Sequence, residues 1–206
     1  SGVPDPHIWM DVELWKKTIP VVAEALIQND PTHAELYNQR AEAYAIELDA
    51  LDQEVRKQLL AIPDNQRYLV TSHDAFNYFA RSYLATDSER ENGEWQARFE
   101  APEGLAPDSQ LSTSDIQKIL DHLQKHKIHT LFPESNVSKA SILKIISSGK
   151  ALGLDLHASP HPLYGDAMGE RGSAGDSYPK MLRYNAMTIS EQIRQGEVAS
   201  AIPVHD

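Results

Sequence analysis

Three residues with metal-ligating side chains each stand just beyond a short run of strand-forming residues. His73 follows Tyr68-Leu69-Val70-Thr71, Glu134 follows Thr130-Leu131-Phe132, and Asp166 lies in the loop after Leu154-Asp155-Leu156. In a parallel α/β sheet the loops at the carboxyl ends of the strands form the ligand crevice, so residues distant in sequence meet there. Imidazole and carboxylate without thiolate suit Mn(II), Fe(II) or Zn(II) and disfavour soft Cu(I). The spacings are too long for any local zinc motif. The competing reading is that these side chains cap or pack locally.

The chain has nine histidines. His7 lies in Asp5-Pro6-His7-Ile8-Trp9, where Pro6 restricts Asp5 and Trp9 anchors the segment, so local reasoning gives a stiff turn with an aromatic plug. His122 and His126 are four apart, which is ligand spacing. They flank the polar side of an Ile116-Leu120-Leu123 stripe beside Lys125 and Lys127, and the expectation is a solvated face. His33, His129, His157, His161 and His205 have no partner assignable from sequence. The acids between residues 87 and 103 lack the spacing of a calcium loop and read as a solvated loop. No Gly-x-Ser-x-Gly motif supports serine hydrolysis, and no Gly-rich loop with Lys supports nucleotide binding.

The elements that must hold these residues alternate between helix and strand. Asp11 stands at an N-cap position, and Leu14, Trp15, Ile19, Val22, Ala25 and Leu26 recur at helical spacing, with a kink expected at Pro20. Thr32-x-x-Glu35 has the form of a capping box opening one long amphipathic helix, about 33 to 61, marked by Tyr37, Ala41, Tyr44, Leu48, Leu51, Val55 and Leu59. At 1.5 Å per residue it would reach roughly 43 Å, enough to bridge two lobes. A strand over 68–71 and a helical pattern from Phe76 follow. Residues 85–113 lose periodicity and read as a loop with a strand near Gln96 to Phe99. A helix capped by Ser114, the strand 130–132, a helix from Ser138 to Ser148 with Gly149 past its end, and a strand 154–156 come next. A Gly-rich loop from His161 to Gly175 leads to a last helix capped by Asp176, and the tail Pro203 to Asp206 is expected to fray. The fold class is therefore α/β, a parallel sheet flanked by helices and preceded by a long connecting helix.

Composition narrows the function. With 206 residues, 41% hydrophobic and 24% charged, the chain can bury a sizeable core. Thirty acids against nineteen Lys and Arg give a formal charge of -11, which argues against nucleic acid and anionic membrane surfaces as partners. No apolar run is long enough to span a bilayer. The absence of cysteine removes disulfides, thiolate metal sites and thiol nucleophiles. Ser1-Gly2-Val3 carries neither an initiator Met nor a signal-peptide layout, and reads as a processed or engineered start.

Four motifs occur in a telling order: Asp5-Pro6-His7-Ile8-Trp9, Val70-Thr71-Ser72-His73-Asp74-Ala75-Phe76, Leu131-Phe132-Pro133-Glu134-Ser135, and Asp166-Ala167-Met168-Gly169 followed by Gly175-Asp176-Ser177-Tyr178. This order resembles that of the metal-specific solute-binding proteins of ABC importers, the group of TroA, PsaA and ZnuA. The resemblance covers nearly the whole chain and is weakest from Asp87 to Glu103. It implies two α/β lobes joined by a long helix, with residues 1–31 the end of the N-terminal lobe, 32–62 the connector and 63–206 the C-terminal lobe. It implies His7, His73 and Asp166 as ligands of one transported Fe2+, Mn2+ or Zn2+. Glu134 would orient ligands rather than bind the ion. A further histidine would come from the N-terminal lobe, before residue 1, so the chain alone should bind metal poorly. Some manganese-type members carry Glu where this chain has His73.

The implied protein is no enzyme but an extracytoplasmic receptor, periplasmic or at the cell surface. It would act as a monomer and hand its cargo to a membrane permease without inserting into the bilayer. Two other readings stand beside it: a non-haem metalloenzyme with a two-His one-Asp site, and a metal-free interaction module using the Tyr37-to-Leu59 stripe.

Overall fold

A computed structural model of the chain describes residues 4–102 and 111–200. Asp11 caps helix α1 (Val12–Lys16) by accepting the Leu14 N–H at 3.2 Å. Helix α2 (Thr18–Asn29) follows after a break at Lys17. Pro20 thus does not kink a continuous helix as expected. It falls in the first turn of α2, where a missing N–H leaves no intrahelical bond unmade.

The long helix α3 runs from Ala34 to Leu60. Its opening is a 3-10 turn, Pro31–His33, with no side-chain cap, so the expected Thr32–Glu35 capping box does not form. Its second half is anchored in the core through Leu48, Leu51, Val55 and Leu59, Tyr44 packs against that core, and Leu36 and Ile46 are exposed. Tyr83 Oη donates to the buried Asp52 carboxylate of α3 at 2.9 Å and accepts the Val12 N–H at 3.1 Å. One phenol therefore joins α1 and α3 to the segment that follows the first strand.

The strands are short and parallel. β1 (Leu69–Val70) pairs with β2 (Phe99–Glu100), and β3 (Thr130–Leu131) pairs with β4 (His157–Ala158). A bridge between Thr71 and Phe132 joins the pairs, giving the order β2-β1-β3-β4, and a second bridge from Glu134 to Leu163 extends the last of them. Successive residues face opposite sides of a sheet. Leu69 and Phe132 accordingly enter one core with α3 and the last helix, α8 (Tyr178–Ser200). Val70 and Leu131 enter a second core against α6 (Thr113–His126) and α7 (Ala140–Ala151).

Several boundaries differ from those expected. α6 is capped by Ser112, not Ser114: its hydroxyl accepts the Asp115 N–H while Asp115 accepts the Ser112 N–H. Gly149 lies inside α7, where a Cβ would collide with Leu156. Leu156 is thus a packing residue, and the ladder forms at 157–158 rather than 154–156. Asp176 does not cap α8 but accepts the Gly172 N–H and binds Lys180.

Residues 77–84 form one turn, α4 (Asn77–Phe79), continued by a wider π turn, Ala80–Leu84. The stretch read as a solvated loop contains α5 (Asp87–Asn92) with a Thr86–Glu89 capping box, and Glu89 receives the buried Arg98 guanidinium at 2.7–3.0 Å. Glu103, Gly104, Pro107, His205 and the start and tail of the chain lie outside the described residues.

Candidate metal centre

The parallel order brings three strand ends together. Beyond β1, His73 is 2% exposed; beyond β3, Glu134 is 1% exposed. Glu134 Oε1 accepts the His73 N–H at 2.9 Å, and its Oε2 lies 2.6 Å from His73 Nδ1. Asp166 comes from the loop after β4, with 30% of its side chain accessible.

His7 arrives from the opposite direction, at the start of a 3-10 turn over Ile8–Met10. Asp5 Oδ1 accepts both the His7 N–H, at 2.9 Å, and Nδ1, at 2.7 Å. Asn77 donates to the other Asp5 oxygen at 3.1 Å and to Asp74 at 2.6 Å. The turn read locally as an aromatic plug thus buries an imidazole, 3% exposed, against the C-terminal ends of the strands.

Each histidine has a carboxylate beside Nδ1: Asp5 is hydrogen-bonded to His7 there, holding the proton and leaving Nε2 as a free donor of electrons, and Glu134 approaches His73 Nδ1 at ion-pair distance. Both Nε2 atoms face one oxygen: Asp166 Oδ1 lies 3.4 Å from His7 Nε2 and 3.3 Å from His73 Nε2. Asn136 donates to the other oxygen, Oδ2, at 3.3 Å. His7, His73 and Asp166 offer ligand atoms all within 4.8 Å of one another. Bonds of about 2.0–2.2 Å in tetrahedral geometry put ligand atoms about 3.4 Å apart, the spacing seen between each imidazole and the carboxylate. His73 Nδ1 and Nε2 and Glu134 Oε2 are all buried without an aligned hydrogen bond, and a cation bound at Nε2 removes the cost of leaving that nitrogen unpaired.

Burial disfavours a charged His73, but the Glu134 contact and the Asp166 charge outweigh it and raise its pKa above the ordinary 6.5. Burial likewise raises the Asp74 carboxyl, while the hydrogen bonds from His7 and Asn77 overcome burial and lower that of Asp5. On the exposed side of Asp166 a cleft of about 890 Å³ opens, lined by Trp9, Trp15, Tyr44, Met168 and Tyr178.

Of the candidate residues, His73, Asp166 and His7 converge, and Glu134 stands behind His73 rather than among the facing ligand atoms. Sequence reasoning missed Asp5 and Asn77 as parts of the site. Asp5 had a local signal in the Asp-x-His spacing, but Asn77 had none. His122 and His126 are not on a solvated face: both Nε2 atoms are buried, and Tyr68 stacks on His126 with ring centroids 4.1 Å apart. Elsewhere His33 meets Asp30, His129 the Asp155 carbonyl, and His157 the Thr130 hydroxyl.

The family model described as the zinc-uptake complex component A, periplasmic, matches residues 2–192. The chain belongs to this family. It is 36% identical over 193 residues to the metal-binding protein YtgA of Chlamydia trachomatis, covering 94% of this chain and 57% of that one. To the manganese-binding lipoprotein MntA of Bacillus subtilis it is 32% identical over 190 residues, 92% of this chain and 58% of that protein. Fe(III)-bound YtgA superposes with a TM-score of 0.86 at 35% identity, covering 94% of this chain and 65% of that structure. The periplasmic zinc-binding protein TroA of Treponema pallidum gives 0.81 at 30% identity, over 92% and 64%. The α/β fold is therefore that of this family, and the chain spans somewhat more than half the length of the curated relatives it matches. No helix among the described residues is long and apolar enough to cross a membrane.

Proposed function

We propose that the protein is the metal-capturing component of an ABC importer, with His7, His73 and Asp166 as ligands of the transported ion. The observation that carries this reading is the aim of two buried imidazoles, each backed by a carboxylate at Nδ1, toward a single Asp166 oxygen. A neutral nitrogen pair with one carboxylate holds Fe2+, Mn2+ or Zn2+ without the grip of thiolates, as a site that must release its cargo requires. Glu134 and Asp5 orient the imidazoles and stay off the ion.

In this reading residues 1–31 end an N-terminal lobe, 32–62 connect, and 63–206 form the C-terminal lobe. The family resemblance implies a further histidine from the rest of that lobe, and the relatives' greater length leaves room for one. The protein works outside the cytoplasm as a monomer, passes the ion to a membrane permease and catalyses no reaction. Its family and the YtgA, MntA and TroA likenesses support that assignment.

The test is a thermal-shift titration with Mn(II), Fe(II) and Zn(II) on the wild-type chain and His73→Ala. Wild type should be stabilised and the variant should lose the shift. An unchanged shift in His73→Ala overturns the site.

A further inference from the structure

The segment carrying His7 and the loop carrying Asp166 belong to opposite ends of the chain, yet their ligand atoms must keep a separation of a few ångströms. Trp9 touches both. Its ring packs edge-on against His7, with centroids 5.3 Å apart and planes at 73°. Its indole Nε1–H donates to the Gly165 carbonyl at 2.9 Å, one residue before Asp166. The backbone of Trp9 is itself fixed, because its carbonyl accepts the Tyr178 hydroxyl at 2.9 Å from the start of α8.

Gly165 is the counterpart that makes this reach possible. A Cβ there would collide with Glu134 Oε2, the oxygen beside His73 Nδ1. The loop therefore lies flat on the carboxylate that orients one histidine while it is bonded to the indole that packs on the other.

We propose that Trp9 is a positioning residue of the metal centre, a latch that sets the distance of Asp166 from the two histidines and slows the loop's departure with the ion. The proposal rests on the metal-site reading above. The latch is one neutral hydrogen bond, and losing such a bond changes an equilibrium by about three- to tenfold.

The experiment compares the wild-type chain, Trp9→Phe and His73→Ala. Phenylalanine keeps an aromatic ring at position 9 while removing the indole donor together with part of the ring. Two readouts are needed. In metal-free protein, amide hydrogen exchange over residues 164–169 should quicken about three- to tenfold in Trp9→Phe. With Co(II) as the probe, its visible absorption bands should change in shape, and its release to excess chelator should quicken by a similar factor.

Unchanged exchange together with unchanged Co(II) bands and release in Trp9→Phe overturns the latch alone. A Co(II) spectrum that persists unchanged in His73→Ala overturns the metal-site reading and the latch with it. Should Trp9→Phe lose the native circular-dichroism spectrum, Trp9→Met, which fills irregular apolar space without a donor, replaces it. Loss of the fold in both variants would make Trp9 a core residue and overturn the assignment.

Discussion

Glu134 holds His73 at two atoms, accepting its backbone N–H through Oε1 at 2.9 Å while Oε2 lies 2.6 Å from Nδ1. The residue is thereby held by its backbone, with its ring against a carboxylate, before any ion arrives. Removing an oriented carboxylate behind a metal-binding imidazole typically costs 10- to 100-fold in affinity. Glu134→Gln should weaken Mn(II) or Zn(II) binding by about that factor in isothermal titration calorimetry while the chain stays folded. Affinity equal to wild type would show that Glu134 does not act through His73.

The two acids near His73 also set a pH dependence. Their charge raises the His73 pKa above 6.5 against the opposing effect of burial. In the metal-free protein the protonated ring is favoured by folding, a stabilisation present below about 6.5 and lost as pH rises through the folded pKa. An incoming ion must displace that proton. Apparent affinity should therefore begin to fall while pH is still above 6.5, and should drop by about tenfold per unit for one displaced proton. Calorimetry from pH 8 to 5.5 checks this, and a flat profile would exclude His73 as a ligand.

The sequence revealed the sheet-end residues because a general rule of parallel sheets applies to them: His73, Glu134 and Asp166 each sit past a readable strand. His7 was opaque locally. Its partners His73 and Asp166 are far along the chain, and only the ordered motifs of the family pointed to it. The strand at 157–158 was misplaced because Leu154-Asp155-Leu156 has the alternation of a strand, whereas Leu156 is used to pack against Gly149. His122 and His126 looked solvated because the ring that covers them, Tyr68, lies outside their helix. The segment around Glu89 showed no period because Arg98 and a capping box hold it rather than a hydrophobic face.

Gly165 gives a steric prediction. Its Cβ-less backbone lies where any side chain would strike Glu134 Oε2, and both residues sit in a packed strand-end region. Gly165→Ala must push the loop or the carboxylate aside, and overpacking of this kind costs about 1–3 kcal/mol. Urea unfolding should show that loss, and metal affinity should fall as the Glu134 contact to His73 is disturbed. Stability and affinity both at wild-type values would mean that the loop moves freely away from Glu134.

His122 supplies the last prediction, on acid stability away from the metal centre. Burial, then the neighbouring His126, Lys125 and Lys118, push its pKa down to about 4. An unfolded chain protonates the same ring near 6.5. Between those values the unfolded state binds the extra proton, so His122 makes stability fall as pH is lowered from about 6.5 toward 4. His122→Phe keeps a ring beside Tyr68, whose centroid lies 6.2 Å away, and cannot take up a proton. Urea melts at pH 7 and pH 4.5 should show a smaller acid loss in the variant than in wild type. An equal loss in both would place the acid sensitivity elsewhere, with His126 and His157 next in line because burial lowers their pKa values too.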